Sequence, residues 1–285
     1  MVEYVLSAIA AVDQMLEKLL EGGDVGIVGF GFVGKALAAR LGALNICYRV
    51  FDPWLDQTKI SCAASLEEVL RCTVVSMHPE LTTEQPWPSQ HLLSHDELER
   101  ISSETLLINT SRGPVIDNDA LLAKLGTKSG PLTVLDVWDP EPNINASLLK
   151  RVRLGTPHIA GYSLDGKLRA THILYDALAT HLQLTEHRVE LSDTAADVIR
   201  LPDTASGVAL VRYLLGGRYD IMRDDSLLRE TVSVGAGDHG VGFDLLRKNY
   251  GERRELANSP VLCREDQRAL VEALGCIVMH SETDQ

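Results

Sequence analysis

The sequence predicts an α/β fold, a doubly wound parallel sheet with helices on both faces, followed by an additional C-terminal α+β domain. Three observations predict it. Short apolar runs recur before about residue 185, and amphipathic or capped stretches separate them, as right-handed βαβ crossovers require. The first run, Val25 to Val28, leads into glycines at 29, 31 and 34, the spacing G-x-G-x-x-G at a strand-to-helix turn. From about Thr185 the texture becomes polar, with Pro202, several glycines in 235–242 and a charged run through 245–254, which marks residues 185–285 as a separate domain.

Each element has a local reason. Residues 2–20 carry Val5, Ile9, Val12, Leu16, Leu19 and Leu20 at helical spacing, and Gly22-Gly23 stops that helix. After the glycine motif, a helix is expected from Phe32 to about Leu41 and a strand at Tyr48–Phe51. Ser65 caps a helix through Leu70, and strand 73–77 follows. Helix 95–100, strand 105–109, helix 117–125, strand 132–135 and a closing helix at 165–183 complete the alternation. The nucleotide-binding domain is therefore read as 21–184, with 1–20 as a helix leading into it.

Bulk properties limit the partners. The chain has 285 residues, 45% of them hydrophobic, enough for a sizeable core. A net charge of −13 disfavours nucleic acid or an anionic membrane as a general partner. The five cysteines form no C-x-x-C pair, which argues against a disulfide framework or a zinc site and fits a reducing, cytoplasmic setting.

The turn at Gly29, Gly31 and Gly34 is the kind that binds a dinucleotide in Rossmann folds. Gly29 allows the reversal, Gly31 lets the backbone approach a pyrophosphate, and Gly34 lets the helix pack on the sheet. The second strand ends at Asp52, 18 residues beyond Gly34, where a carboxylate can accept both ribose hydroxyls and repel a 2′-phosphate. The expected cofactor is NAD rather than NADP. Three further residues lie just beyond strands or in loops on the ligand side: Arg112 in INTSRGP, Glu141 in LDVWDPEP and His158 in GTPHIAGY. A guanidinium can hold a carboxylate through two hydrogen bonds, and a histidine backed by a carboxylate can take a proton from an alcohol.

GIVGFGFVG, Asp52, INTSRGPVID, LDVWDPEP and TPHIAGYSLDGK stand in the order and spacing of the D-2-hydroxyacid dehydrogenases, and the chain resembles that family over essentially its whole length. HIAGYSLDGK and LLRKNYGERREL are similar to a branch of it in vitamin B6 biosynthesis. The resemblance implies NAD-dependent oxidation of a small phosphorylated hydroxy acid, 4-phospho-D-erythronate, to 2-oxo-3-hydroxy-4-phosphobutanoate. It implies that His158 accepts the proton, with Glu141 as its partner and Arg112 as the carboxylate clamp. By the same match Tyr162 contacts substrate, and Asp52, Thr110, Ser111, Asp136 and Gly161 line the NAD site. It also implies a homodimer formed through residues 185–285.

Two departures accompany the resemblance. His78-Pro-Glu-Leu-Thr82 stands where the family has His-x-Pro-Leu-Thr, so a cofactor contact at Pro79 is not carried over and His78 is read as a loop residue. Family members begin with a substrate-binding domain, whereas this sequence starts at the helix leading out of it. Helix 2–20 is accordingly expected to leave apolar surface exposed, and turnover by the chain as given to be weak. Two other readings are an NAD-binding regulatory protein without turnover and another D-2-hydroxyacid dehydrogenase such as a phosphoglycerate type.

Overall fold

The structure, a computed structural model, describes residues 1–184, 197–234 and 239–279. In chain order its elements are α1 (Val2–Ala11), α2 (Met15–Leu20), β1 (Asp24–Val28), α3 (Phe32–Ala43), β2 (Cys47–Phe51), α4 (Leu66–Val69) and β3 (Val74–Met77). Then come α5 (His95–Glu99), β4 (Leu106–Asn109), α6 (Asn118–Leu125), β5 (Leu132–Leu135), α7 (Ala146–Leu149), β6 (Leu154–Gly155) and α8 (Leu164–Leu182). The chain continues through β7 (Ile199–Arg200), α9 (Gly207–Gly216), α10 (Ile221–Val234), α11 (His239–Lys248), β8 (Pro260–Leu262), α12 (Glu265–Ala273) and β9 (Ile277–Met279).

Chain contacts divide the protein into two units, Met1–Ala160 with Asp220–Tyr250, and Gly161–Tyr219 with Gly251–Gln285. The first unit is built on a six-stranded parallel sheet in the order β2-β1-β3-β4-β5-β6. Strands β3 and β4 are buried along their whole length, as expected for a parallel sheet covered on both faces. The order changes direction at β1, which lies between β2 and β3, and a crevice opens there at the carboxyl ends of the strands. Local sequence sets the helix starts: Ser65 and Glu68 form a capping box on α4, and the Asp117 carboxylate accepts from the first-turn amides of α6.

The amino-terminal helix departs from expectation in two ways. It is broken in two, because Val12 turns extended and Asp13 takes a left-handed φ of 42°. Most of its apolar stripe is also covered: Val5, Ile9, Val12, Leu16 and Leu19 are buried and Leu20 is exposed, so the expected exposed face shrinks to the end of α2. Helix α1 packs against α3, β4 and α10, and α10 comes from the segment that the sequence assigned to another domain.

That segment is a correction to the expected organisation. Residues 220–250 belong with the nucleotide-binding unit, where Leu228, Val232 and Phe243 join the core formed by Val75, Leu107, Leu135 and Leu148. On α10 the inward face reads Ile221, Asp225, Leu228, Val232, one helical stripe interrupted by a buried acid. The charged and polar residues on its other faces, Arg223, Asp224, Ser226 and Glu230 among them, make the segment look polar by composition although its inward face is that of a core helix. The boundary expected near Thr185 and the glycines at 235 and 237 lie outside the described residues.

The second unit carries a parallel three-stranded sheet, β7-β8-β9, with α12 packed on β9. Within it, Arg254 forms an ion pair with Asp165 at 3.0 Å, and Ser163 donates to Glu255 at 2.8 Å. These contacts tie the start of α8 to the charged run that the sequence singled out.

Candidate active site

The glycine turn has the shape that its spacing predicts. Gly29 has φ of 89°, and a Cβ there would lie 2.5 Å from the Pro79 nitrogen. Gly34 packs so closely that a Cβ would sit 2.2 Å from the Gly29 oxygen, which brings α3 onto β1. A Cβ on Gly31, by contrast, would meet nothing within 4 Å. The backbone at Gly31 is thus open to a ligand, directly before the first turn of α3, which has no side-chain cap.

Asp52 closes the next strand. Its carboxylate accepts from Phe30 N at 2.8 Å and from Trp54 N at 3.1 Å, which fixes the side chain and leaves lone pairs for further donors. A cleft of about 1080 Å³ in the first unit is lined by Gly29, Gly31, Asp52, Thr110, Ser111 and Arg112, among others. Trp54 and Trp87 also line it, and the Trp54 indole donates to the Trp87 carbonyl at 3.1 Å. Open backbone at Gly31, an uncapped helix start and a held carboxylate at Asp52 fit the pyrophosphate and ribose of NAD.

The loop after β4 is wound around Asn109. Its side chain accepts from Ser111 N at 3.0 Å and Ser111 Oγ at 2.8 Å, and donates to the Arg112 carbonyl at 3.0 Å. Arg112 is exposed and donates through Nη1 to the Ser111 carbonyl at 2.7 Å, which leaves the rest of the fork toward the cleft. A Cβ on Gly113 would overlap the Trp138 oxygen at 1.8 Å, so the Arg112 loop lies directly on the loop that leads to Glu141.

Glu141 and His158 meet as expected. Glu141 Oε2 lies 2.8 Å from His158 Nδ1, and Oε1 accepts from Trp138 N at 2.9 Å. A carboxylate can only accept, so Nδ1 carries the hydrogen and Nε2 presents a lone pair. His158 itself is left-handed, with φ of 57°, an uncommon conformation for a residue with a side chain. The backbone is held there by the bond from His158 N to the Asp136 carbonyl at 2.7 Å. Neither Glu141 nor His158 is among the residues lining the cleft, whereas Arg112 is.

Asp136 closes β5 and faces the loop that carries His158. It is buried, and its carboxylate accepts from Ile159 N at 2.8 Å, Ala160 N at 2.9 Å and Thr156 Oγ1 at 2.6 Å. Burial raises its pKa and these hydrogen bonds oppose the rise. The carboxylate therefore supports the His158 loop from inside. Thr156 in turn bonds Tyr4 Oη at 2.6 Å, extending the support to α1. Gly161 and Tyr162 open the second unit, where Lys167 Nζ lies 5.1 Å from the Tyr162 ring centre.

Sequence reasoning undervalued His78. It lines the cleft, with Nε2 at 2.8 Å from Ser76 Oγ and Nδ1 at 3.3 Å from Thr110 Oγ1. Loss of hydration pushes its pKa down to about 3, so the ring is neutral near pH 7 and links Thr110 to β3. The run Ser76-Met-His78 at a strand end was the available signal. Among the described residues no cluster of His, Cys, Asp or Glu can hold a metal ion, and no helix is long and apolar enough to cross a membrane.

Residues 7–160 match the family described as D-isomer specific 2-hydroxyacid dehydrogenase, NAD binding domain. The chain belongs to the D-isomer specific 2-hydroxyacid dehydrogenases. Residues 197–275 match a second family, described as a domain of unknown function, DUF3410. The erythronate-4-phosphate dehydrogenase of Cellvibrio japonicus is 40% identical over 270 residues, which cover 91% of this chain and 69% of that protein. The erythronate-4-phosphate dehydrogenase of Klebsiella pneumoniae is 39% identical over 285 residues, covering 98% of this chain and 74% of the relative. Among solved structures, a D-lactate dehydrogenase from Treponema pallidum aligns with a TM-score of 0.49 at 26% identity, over 61% of this chain and 56% of that one. An NAD-dependent formate dehydrogenase from Staphylococcus aureus, solved with NAD, aligns with a TM-score of 0.48 at 25% identity, over 60% of this chain and 52% of its own.

Proposed function

We propose that this dehydrogenase chain oxidises the C2 hydroxyl of 4-phospho-D-erythronate, giving 2-oxo-3-hydroxy-4-phosphobutanoate, as part of vitamin B6 biosynthesis. The observation that carries the chemistry is the 2.8 Å pair between Glu141 and His158, placed at the strand ends that also present Arg112. His158 Nε2 takes the hydroxyl proton as the C2–O bond becomes a carbonyl, and Glu141 stabilises the imidazolium that results. The free part of the Arg112 fork holds the substrate carboxylate and draws charge from the reacting oxygen. Gly29, Gly31, Gly34 and Asp52 would hold NAD, which would supply the acceptor for the hydride leaving C2. Thr110 and Ser111 lie beside the cofactor in this reading. The roles of Gly161 and Tyr162 rest on the resemblance of the HIAGY segment, and Asp136 acts through the backbone of the His158 loop.

The choice of substrate rests on the curated relatives, which carry the name erythronate-4-phosphate dehydrogenase over most of this chain. Initial rates of NADH formation with 4-phosphoerythronate, 3-phosphoglycerate and D-lactate test it. A higher kcat/KM for either of the last two would overturn the assignment, and tight NAD binding with no turnover on any acid would favour a regulatory protein. We further propose that the second unit self-associates into a homodimer in the cytoplasm. Exposed Ile173, Leu174, Leu178 and Leu182 on α8 support an apolar contact there, and the five free cysteines suit a reducing compartment. Sedimentation as a monomer at micromolar concentration would exclude the dimer.

A further inference from the structure

We propose that the Asp225–Arg229 pair of α10 is a positioning element for His158, so that a helix from the C-terminal part of the sequence sets the geometry of the proton acceptor. The inference rests on the reading of His158 given above.

Strand β6 is only two residues long and forms the outer edge of the sheet, next to β5 alone. An edge strand this short has few ladder bonds to hold it. It nevertheless ends three residues before His158 and must deliver that residue in its left-handed conformation. Helix α10 supplies the missing bonds. Asp225 Oδ1 accepts from Gly155 N at 2.7 Å, doing for β6 what a further strand would do. Arg229 grips both Asp225 oxygens through Nε, at 2.9 and 2.8 Å. Its two other nitrogens donate to the Leu149 carbonyl at 2.7 Å and the Val152 carbonyl at 3.0 Å. One guanidinium thereby ties the end of α7, the connecting turn and, through Asp225, the end of β6.

The path onward is short and fully bonded. Thr156 follows Gly155, and its carbonyl accepts from the Trp138 indole at 3.0 Å while its hydroxyl meets Tyr4 and Asp136. Asp136 then holds the amides of His158, Ile159 and Ala160. Trp138 also fixes Glu141 through its backbone N–H, so the turn carrying the carboxylate and the turn carrying the imidazole share one anchor. Asp225 is buried, and a buried acid in an apolar stripe costs stability unless it is fully paired. Its pairing here is spent on the backbone that leads to His158.

Hydrogen exchange of the whole chain, with NAD titration and initial rates alongside, tests the proposal on Asp225→Ala, Asp225→Asn and Arg229→Lys. For Asp225→Ala we expect faster amide exchange confined to residues 149–160, with β1 and β3 unchanged. NAD affinity and the KM for the acid should stay at parental values while kcat falls by about tenfold to a hundredfold, the scale of a small misplacement of a reacting group. Asp225→Asn keeps an acceptor for Gly155 N and should lie between the parent and Asp225→Ala. Arg229→Lys keeps the charge but loses the fork, and should loosen 149–153 most. Exchange that is unchanged at 149–160 in a folded variant overturns the proposal. So does exchange that rises evenly over the unit while NAD binding weakens, which would make the pair a general structural support. If Asp225→Ala does not fold, the other two variants decide by the same readouts. The exchange measurement needs no turnover, so a wrong substrate would show as absent rates in the parent with the local exchange pattern intact.

Discussion

Glu141 and His158, 17 positions apart in the chain, stand 2.8 Å from each other between Oε2 and Nδ1, and each is fixed from behind by backbone. Trp138 N holds the acid and the Asp136 carbonyl holds the histidine's amide. Replacing His158 by Ala is expected to leave NAD binding nearly intact and lower turnover by about a hundredfold to ten-thousandfold, the usual range for a general base. Glu141→Gln should cost less, because an amide can still accept from Nδ1 but cannot stabilise an imidazolium. Equal losses in the two variants, measured as kcat, would mean that Glu141 does more than support the ring.

The Asp52 carboxylate is held by Phe30 N and Trp54 N, and in the proposed reading it sets the choice between NAD and NADP. Asp52→Ser should raise the affinity for NADP relative to NAD, since it removes the charge that repels a 2′-phosphate. Fluorescence titration with both nucleotides measures the ratio. A ratio unmoved by the substitution would place the ribose elsewhere.

His78 gives a pH signature. Its folded pKa, about 3, lies below that of an unfolded histidine near 6.5. Between those values the unfolded chain binds more protons than the folded one, so this residue makes stability fall as pH drops from about 6.5 toward 3. Above about 6.5 it contributes no slope. Urea unfolding at a series of pH values should therefore show a shallower acid loss for His78→Gln than for the parent. Parallel curves would mean that the ring is more hydrated than its surroundings imply.

Cysteine reactivity should separate sharply. Burial, with Asp24 adding to it, pushes the Cys72 thiol up to about 12, whereas Cys47 lies exposed on β2. Brief alkylation of the native chain near pH 8, read by peptide mass spectrometry, should label Cys47 and leave Cys72 unlabelled until denaturant is added. Early labelling of Cys72 would show local opening between α4 and β3.

Much of the nucleotide-binding fold was legible because its signals are local. The glycine spacing, the capping serine of α4 and the apolar strands each depend on neighbours within a few residues, and each element formed where expected. Arg112, Glu141 and His158 were legible for the same reason, as polar residues just past apolar runs or in adjoining loops. What was hidden depends on distance along the chain. Asp225 finds Gly155 70 positions away, and nothing near α10 announces that partner. The break at Asp13 and the two-residue β6 leave almost no pattern to read. The bonds from the Asp136 carboxylate to the amides of Ile159 and Ala160, 23 and 24 positions on, likewise depend on chain distance and leave no local pattern.

The return of residues 220–250 to the first unit also dictates the order in which that unit can be finished. When synthesis has passed Ala160 all six strands exist, yet Leu228, Val232 and Phe243 have not been made, and the apolar surface they cover stays open until about Tyr250 emerges. The nascent chain thus spends some ninety residues of elongation with an unfinished core. A cut near residue 184 would accordingly yield a half-product with exposed apolar surface instead of an isolated nucleotide-binding module.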